Sequence, residues 1–325
     1  MIRGGLARTA LRGMAYLCGG LVLAGQLGRF AASFDTLNAL LLPLVAALAL
    51  LSILALACRE RVSGIVAFVC LAIGLGQIAS PASPEKLPAT WSPPPIRLLT
   101  LSTWHSNPHP EAVRRAVEAE RPDIALLQET DRATAAVVRD LLPGYHRVRS
   151  CSRRDCSLTI LSRWPARRIV LAAKPGARLA DLLVAEIAAP WGSFRVMNLH
   201  LPRPYTPDAQ PFVDQLAIAM EEQGRGPLIV GGDFNMATGS FGLRRLAGAA
   251  GLRRVEGLLP TYPAHLGVPP FIPIDHVLVG RDWGPAQCHA MAWAASDHRG
   301  IACTLSLSPS LSPRPRVLRE MAGGT

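Results

Sequence analysis

Apolar residues follow two regimes along this chain. Over residues 1–80 they form three long uncharged runs, at about 13–28, 37–57 and 62–78. The second reaches the length that crosses a bilayer, roughly 20 residues. A signal peptide would explain the first run but not three in succession. A buried helical hairpin would show a polar face, which these runs lack. Beyond residue 95 the apolar segments become short and alternate with helical spacings. The pattern predicts strands at 96–102, 121–129, 145–149, 157–162, 168–172, 182–188, 193–200, 228–230, 274–279 and 300–305. Helices are expected at 108–120, 131–142, 208–222 and 241–250. Val113, Ala116 and Val117 share one face of the first, and Asp131 is placed to cap the second. Strands with interspersed helices fit two sheets packed face to face with helices outside.

The expected organisation is a membrane anchor over 1–80 with three transmembrane helices, a proline-rich linker over 81–95, a catalytic domain over 96–307 and a disordered tail over 308–325. Trp91 in the linker would suit a membrane interface. Arg3, Arg8 and Arg12 precede the first run, and Arg59 and Arg61 separate the second from the third. Arg29 between the first two is balanced by Asp35. Positive residues stay cytoplasmic, so the third run should exit outward and leave the large domain extracytoplasmic.

Composition adds little. The net charge is +11, carried by arginine, with Lys86 and Lys174 the only lysines. No basic cluster with interleaved aromatics stands out, which disfavours a nucleic-acid partner. Of the seven cysteines, Cys18, Cys58 and Cys70 fall in or beside the apolar runs. Cys151 and Cys156 are close enough to close a hairpin by a disulfide in an oxidising compartment. Cys288 and Cys303 fall late in the chain, with no partner assigned by spacing.

The chemistry collects where predicted strands end. Residues 228–235 read Leu-Ile-Val-Gly-Gly-Asp-Phe-Asn: a buried strand, two glycines to end it, then Asp233 and Asn235. The same residues would suit an Asx turn. Arg-Pro-Asp-Ile-Ala-Leu-Leu-Gln-Glu ends in Glu129, and Met-Asn-Leu-His-Leu holds His200. Ile-Asp-His-Val opens a strand with Asp275, and Ser-Asp-His sets Asp297 and His298 before the last one. A strand-end Glu is also a common helix cap, and a lone strand-end histidine is often structural. The five motifs in this order resemble the endonuclease/exonuclease/phosphatase superfamily over about 96–307.

That resemblance implies an α/β (α+β) four-layer sandwich, two mixed β-sheets packed face to face with outer helices, here preceded by three transmembrane helices. It implies a metal-dependent hydrolase of phosphate esters using Mg²⁺ or Mn²⁺. By the same resemblance Glu129 and Asp297 hold the metal, and Asp275 orients His298. His298 or Asp233 takes the proton of the attacking water. Asn235 hydrogen-bonds the phosphate or the attacking water, and His200 contacts the phosphate or assists the leaving oxygen. The family usually has an asparagine where Ser102 stands, and Asn107 matches a second asparagine of membrane-anchored relatives; Asn107 or His105 would compensate for the serine. The anchor resembles bacterial membrane members of the superfamily, including those linked to glycopeptide-antibiotic resistance. It implies a plasma-membrane phosphohydrolase acting outside the cell on a substrate such as a lipid phosphate or pyrophosphate. The alternatives are a membrane-tethered nuclease and an inactive membrane protein on the same fold.

Overall fold

A computed structural model describes residues 2–79, 94–152, 155–170, 182–206, 213–214, 216–217 and 226–308. Nearly all of the expected linker and tail lies outside these residues, as does most of the helix expected at 208–222.

The N-terminal part holds α1 (Ile2–Gln26), the short α2 (Ala32–Asp35), α3 (Leu41–Ala57) and α4 (Arg61–Ile78). Three helices, over Gly5–Arg29, Ala32–Ala57 and Arg61–Ile78, are long and apolar enough to cross a membrane. They bury Ala15, Leu48, Ala67 and Cys70 against one another. Leu17, Ile53 and Phe68 point outward and are each more than half exposed. In water that surface would be costly, whereas lipid solvates it. Arg12 bonds Glu60 at 2.7 Å, tying the first half of α1 to the α3–α4 turn.

The rest of the described chain forms two mixed six-stranded sheets. The first runs β11 (Trp283–Ala290), β12 (Ile301–Leu307), β1 (Ile96–Ser102), β2 (Ile124–Gln128), β4 (Asp155–Ser162), β3 (His146–Ser152). The second runs β5 (Ala166–Ile169), β6 (Leu182–Ala189), β7 (Gly192–His200), β8 (Leu228–Asp233), β10 (Asp275–Val279), β9 (Arg253–Arg254). Each sheet has one parallel pair, β1–β2 and β7–β8, and is otherwise antiparallel. Alternate residues such as Leu98, Leu126, Ile160, Val196 and Ile229 fill the space between the sheets. The opposite face of the first sheet packs on α5 (Glu111–Glu120) and α6 (Ala135–Asp140). The outer face of the second packs on α7 (Phe241–Ala249). Helix, sheet, sheet, helix is the four-layer order that the sequence pattern predicts.

Two local expectations need correction. The glycines of Gly231-Gly232 do not end a strand; β8 runs through them to Asp233. Their missing side chains serve packing. A methyl on Gly231 would lie 2.7 Å from Leu126 Cδ1, and one on Gly232 would meet the Leu199 carbonyl oxygen at 1.9 Å. Asp131 caps nothing: the chain enters a 3₁₀ turn (Arg132–Thr134) before α6, with no side-chain cap bond.

Disulfides join Cys151 to Cys156 across β3–β4 and Cys288 to Cys303 across β11–β12. Cys18, Cys58 and Cys70 are free.

Candidate active site

The parallel pairs aim their carboxyl ends at one rim, and most of the strand-end residues meet there. Glu129 follows β2, and His200 ends β7 opposite Asp233 at the end of β8. Asp275 opens β10, paired with Asp233. Asp297 and His298 precede β12. A cavity of ≈ 290 Å³ is lined by Glu129, His200, Asp233, Asn235, Asp297 and His298. Asp275 stands behind it, against His298.

His298 is almost fully buried between two acids. Its Nδ1 lies 2.8 Å from Asp275 Oδ2 and its Nε2 lies 3.6 Å from Asp233 Oδ2. Burial alone would strip its proton, but Asp275 and Asp233 outweigh burial and push it up to about 10. Asp233, also buried, is held above the usual carboxylate range by desolvation, against the pull of His298. Asn235, at φ 48°, donates its backbone N–H to Asp233 Oδ1 at 2.8 Å. Its side-chain amide bonds the Leu201 carbonyl at 2.8 Å. Asn235 therefore shapes the rim as well as facing the cavity.

Glu129, also at positive φ, is clamped by His105. Its Oε2 accepts the His105 backbone N–H at 2.9 Å and faces the His105 ring nitrogen at 2.7 Å. Burial would raise this carboxyl, but the His105 N–H and His200 hold it below its usual range. Its Oε1 makes no hydrogen bond among the described residues and lies 3.9 Å from His200 Nε2. Asp297 is raised, by burial first and by Glu129 in addition, with His298 opposing. Two half-buried carboxylates that repel across a cavity fit a hard divalent cation with oxygen ligands.

Asp233, Asp275 and His298 also offer ligand atoms within 4.8 Å of one another. Both nitrogens of His298 already face carboxylates, and a charged ring has no lone pair for a metal. His298 therefore pairs with its two acids, and Glu129 and Asp297 are the carboxylates of the cavity that could hold a cation.

The serine and asparagine singled out near β1 do not join the cavity. Ser102 is fully buried, and its hydroxyl makes no hydrogen bond among the described residues. Thr100, two residues earlier, faces the second sheet through Gln128, so Ser102 points the same way. Asn107 is spent on its own loop and on the segment before Asp297. Its Nδ2 donates to the Thr103 and Ala294 carbonyls, and its Oδ1 accepts the His109 N–H. His105 is the residue from that loop that reaches the site. His276 points away, to Glu256 and the Met236 carbonyl.

Several participants escaped sequence reasoning. Arg203 and Tyr205, bonded to each other at 3.1 Å, line the cavity, as does Tyr262, whose ring lies 5.0 Å from that of His298. A cation three residues after a strand-end histidine was the available signal for Arg203. Asn198, fully buried, donates to the Leu127 and Thr159 carbonyls and accepts from Gln128. It ties β7 of one sheet to β2 and β4 of the other, just beneath Glu129 and His200.

Against known proteins, the Endonuclease/Exonuclease/phosphatase family model matches residues 99–298, well over half of the chain. Comparison with curated proteins gives no match. Among solved structures, an endonuclease/exonuclease/phosphatase from Beutenbergia cavernae is 20% identical, with a TM-score of 0.52 over 66% of this chain and 72% of that one. Staphylococcus aureus beta toxin with bound magnesium ions gives 12% and 0.52, over 65% of this chain and 99% of the toxin. D. rerio TDP2 complexed with single strand DNA product gives 16% and 0.52, over 65% and 99%. At such identities the likeness is one of fold.

Proposed function

The chain belongs to the Endonuclease/Exonuclease/phosphatase family, and on that premise we propose that it is a divalent-metal-dependent phosphohydrolase, a phosphatase or phosphodiesterase at the outer face of a bacterial plasma membrane. Members of this family are generally hydrolases of phosphate esters. One observation carries the reading: Glu129, His200, Asp233, Asn235, Asp297 and His298, drawn from four strand ends and spread over both sheets, surround one cavity.

Glu129 and Asp297 would hold the cation. Once bound, a divalent ion neutralises phosphoryl oxygens and makes the phosphorus easier to attack. The protein's own groups divide the remaining work. His298 already holds its proton, so Asp233 is the better base for the attacking water. As the water oxygen bonds to phosphorus and the ester P–O bond breaks, the water's proton passes to Asp233 and the leaving oxygen takes a proton from solvent beside His200. The charged His298 ring, fixed by Asp275, offsets the negative charge that gathers beside it. His200 and Arg203 face the phosphate from the solvent side, where a guanidinium fork suits its oxygens.

Placement outside the cell is supported by two disulfides, which persist in oxidising compartments. The arginines in the first half of α1 and around the α3–α4 turn, brought to the same end of the helical bundle by the Arg8 and Arg12 contacts with Glu60, support it too. The substrate would be a membrane-associated ester such as a lipid phosphate or pyrophosphate.

The test is phosphate release by the purified full chain in nanodiscs, against lipid pyrophosphate, alkyl phosphate, sugar phosphate and DNA, with Mg²⁺ or with EDTA. Glu129→Gln and His298→Ala are each expected to lower kcat by about 10²–10³-fold, the usual worth of a group that stabilises charge in the transition state. Glu129→Gln should also weaken Mg²⁺ binding in calorimetry. Activity that survives EDTA and both substitutions ends the proposal, and cleavage of DNA alone makes the protein a nuclease.

A further inference from the structure

The helical anchor touches the cavity itself. Between α1 and α3 the chain turns back through Asp35, which is buried. Asp35 Oδ1 accepts the Phe241 N–H at 2.9 Å. Its Oδ2 accepts the Gly242 N–H at 2.8 Å and the Ser240 hydroxyl at 2.6 Å. An anchor carboxylate thus caps α7, more than 200 residues away in sequence. Asn38 steadies it, donating to Asp35 Oδ1 at 2.7 Å and to the Gly25 carbonyl at 3.1 Å. From the end of α4, Gln77 donates to the Gly239 carbonyl at 2.7 Å. Arg29 lies over the Phe241 ring from the anchor side, 5.5 Å from its centroid. The fit is close: a methyl on Gly239 would lie 2.6 Å from Leu41 Cδ2.

This latch grips the short segment that joins Asp233 and Asn235 to α7. It also brings Thr36 and Ala39 into the lining of the same cavity as Glu129 and His298. A narrower crevice of ≈ 40 Å³ adjoins the cavity and shares Thr36, Ala39, Pro204 and Asn235 with it. The other groups along the crevice are mainly apolar, Ala32, Met236 and Ala237 among them. Its one charged member, Asp35, has both oxygens bonded to α7.

We propose that the turn between the first two apolar helices is a substrate-facing wall of the active site. Thr36 and Ala39 select esters whose leaving group is apolar next to the phosphate, and Asp35 is the positioning residue that holds the wall in place. The proposal rests on the phosphohydrolase reading. It goes further in giving the anchor a part in selecting substrate. Anchoring by itself would only raise the local concentration of substrate.

The experiment compares hexyl phosphate with glycerol 3-phosphate, using the full chain in nanodiscs with Mg²⁺. The wild type is expected to favour hexyl phosphate at least tenfold in kcat/KM. Ala39→Trp, at a half-buried position that lines both the cavity and the crevice, should remove most of that preference. The change should appear as a rise of fivefold or more in KM for hexyl phosphate, with kcat within about twofold. Asp35→Asn sets an N–H against the N–H groups of α7 and should shift the same ratio in the same direction. An active wild type with no preference for hexyl phosphate overturns the proposal. So does a preference that survives Ala39→Trp, or an Ala39→Trp loss carried by kcat alone. A wild type inert towards both esters and the wider panel overturns the phosphohydrolase reading instead.

Discussion

Replacing Asn198 by leucine keeps the side chain's volume and removes all of its polar contacts. Those contacts are its bonds to the Leu127 carbonyl at 2.9 Å, to the Thr159 carbonyl at 3.0 Å and from Gln128 Nε2 at 2.6 Å. A neutral hydrogen bond contributes about 1 kcal/mol net, and a buried partner left unsatisfied costs about 1–3 kcal/mol. Gln128 keeps Thr100 Oγ1 and the Leu126 carbonyl as alternative acceptors, so its loss is the smaller one. The sum is about 3–5 kcal/mol, a large share of the roughly 5–15 kcal/mol that holds a domain folded. For a domain of this size that corresponds to a fall in Tm of roughly 10 °C. Thermal unfolding of the full chain in nanodiscs, followed by tryptophan fluorescence, reads it directly. The bond joins the two sheets one residue from Glu129 and two from His200, so kcat should fall even well below Tm. A shift under about 2 °C with unchanged kcat would mean that apolar packing alone aligns the sheets.

Two further outcomes follow from backbone and crosslinks. Gly232 has φ +150° and the Leu199 carbonyl where a Cβ would sit, so Gly232→Ala is expected to prevent folding or lower Tm by well over 10 °C; near-wild-type melting would mean that β7 and β8 yield freely there. The Cys288–Cys303 disulfide closes a loop of sequence separation 15, and the double alanine variant should lose about 3 kcal/mol in a urea titration. No change in urea midpoint would show that the β11–β12 ladder holds without the crosslink.

The layers and the rim were legible because they rest on local signals. Strands alternate or run apolar, and the residues that ended them announced where chemistry would gather. Glu129, His200, Asp233, Asp297 and His298 could be read this way, placed by four strands, the last two residues by the same one. The rest depends on partners that no local pattern names. Asn198 is one polar residue in a strand until the opposite sheet gives it two carbonyls. Asp35 looked like a charge balancing Arg29 in a loop, yet its partners are N–H groups of a helix more than 200 residues further on. Asn107 and His105 share one loop, and only packing decides which of them turns towards Glu129. The Cys288–Cys303 bond needed the register of β11 against β12, which the late apolar segments did not reveal.

The last strand lies beside the first. β12 pairs antiparallel with β1, from Ile96 opposite Leu305 to Thr100 opposite Ile301, and Asp297 and His298 arrive only just before it. A ribosome delivers the anchor and β1 long before that closing strand is made. The loop that carries Asp297 and His298 can therefore take its place against Asp233 and Asp275 only when nearly the whole polypeptide has been made.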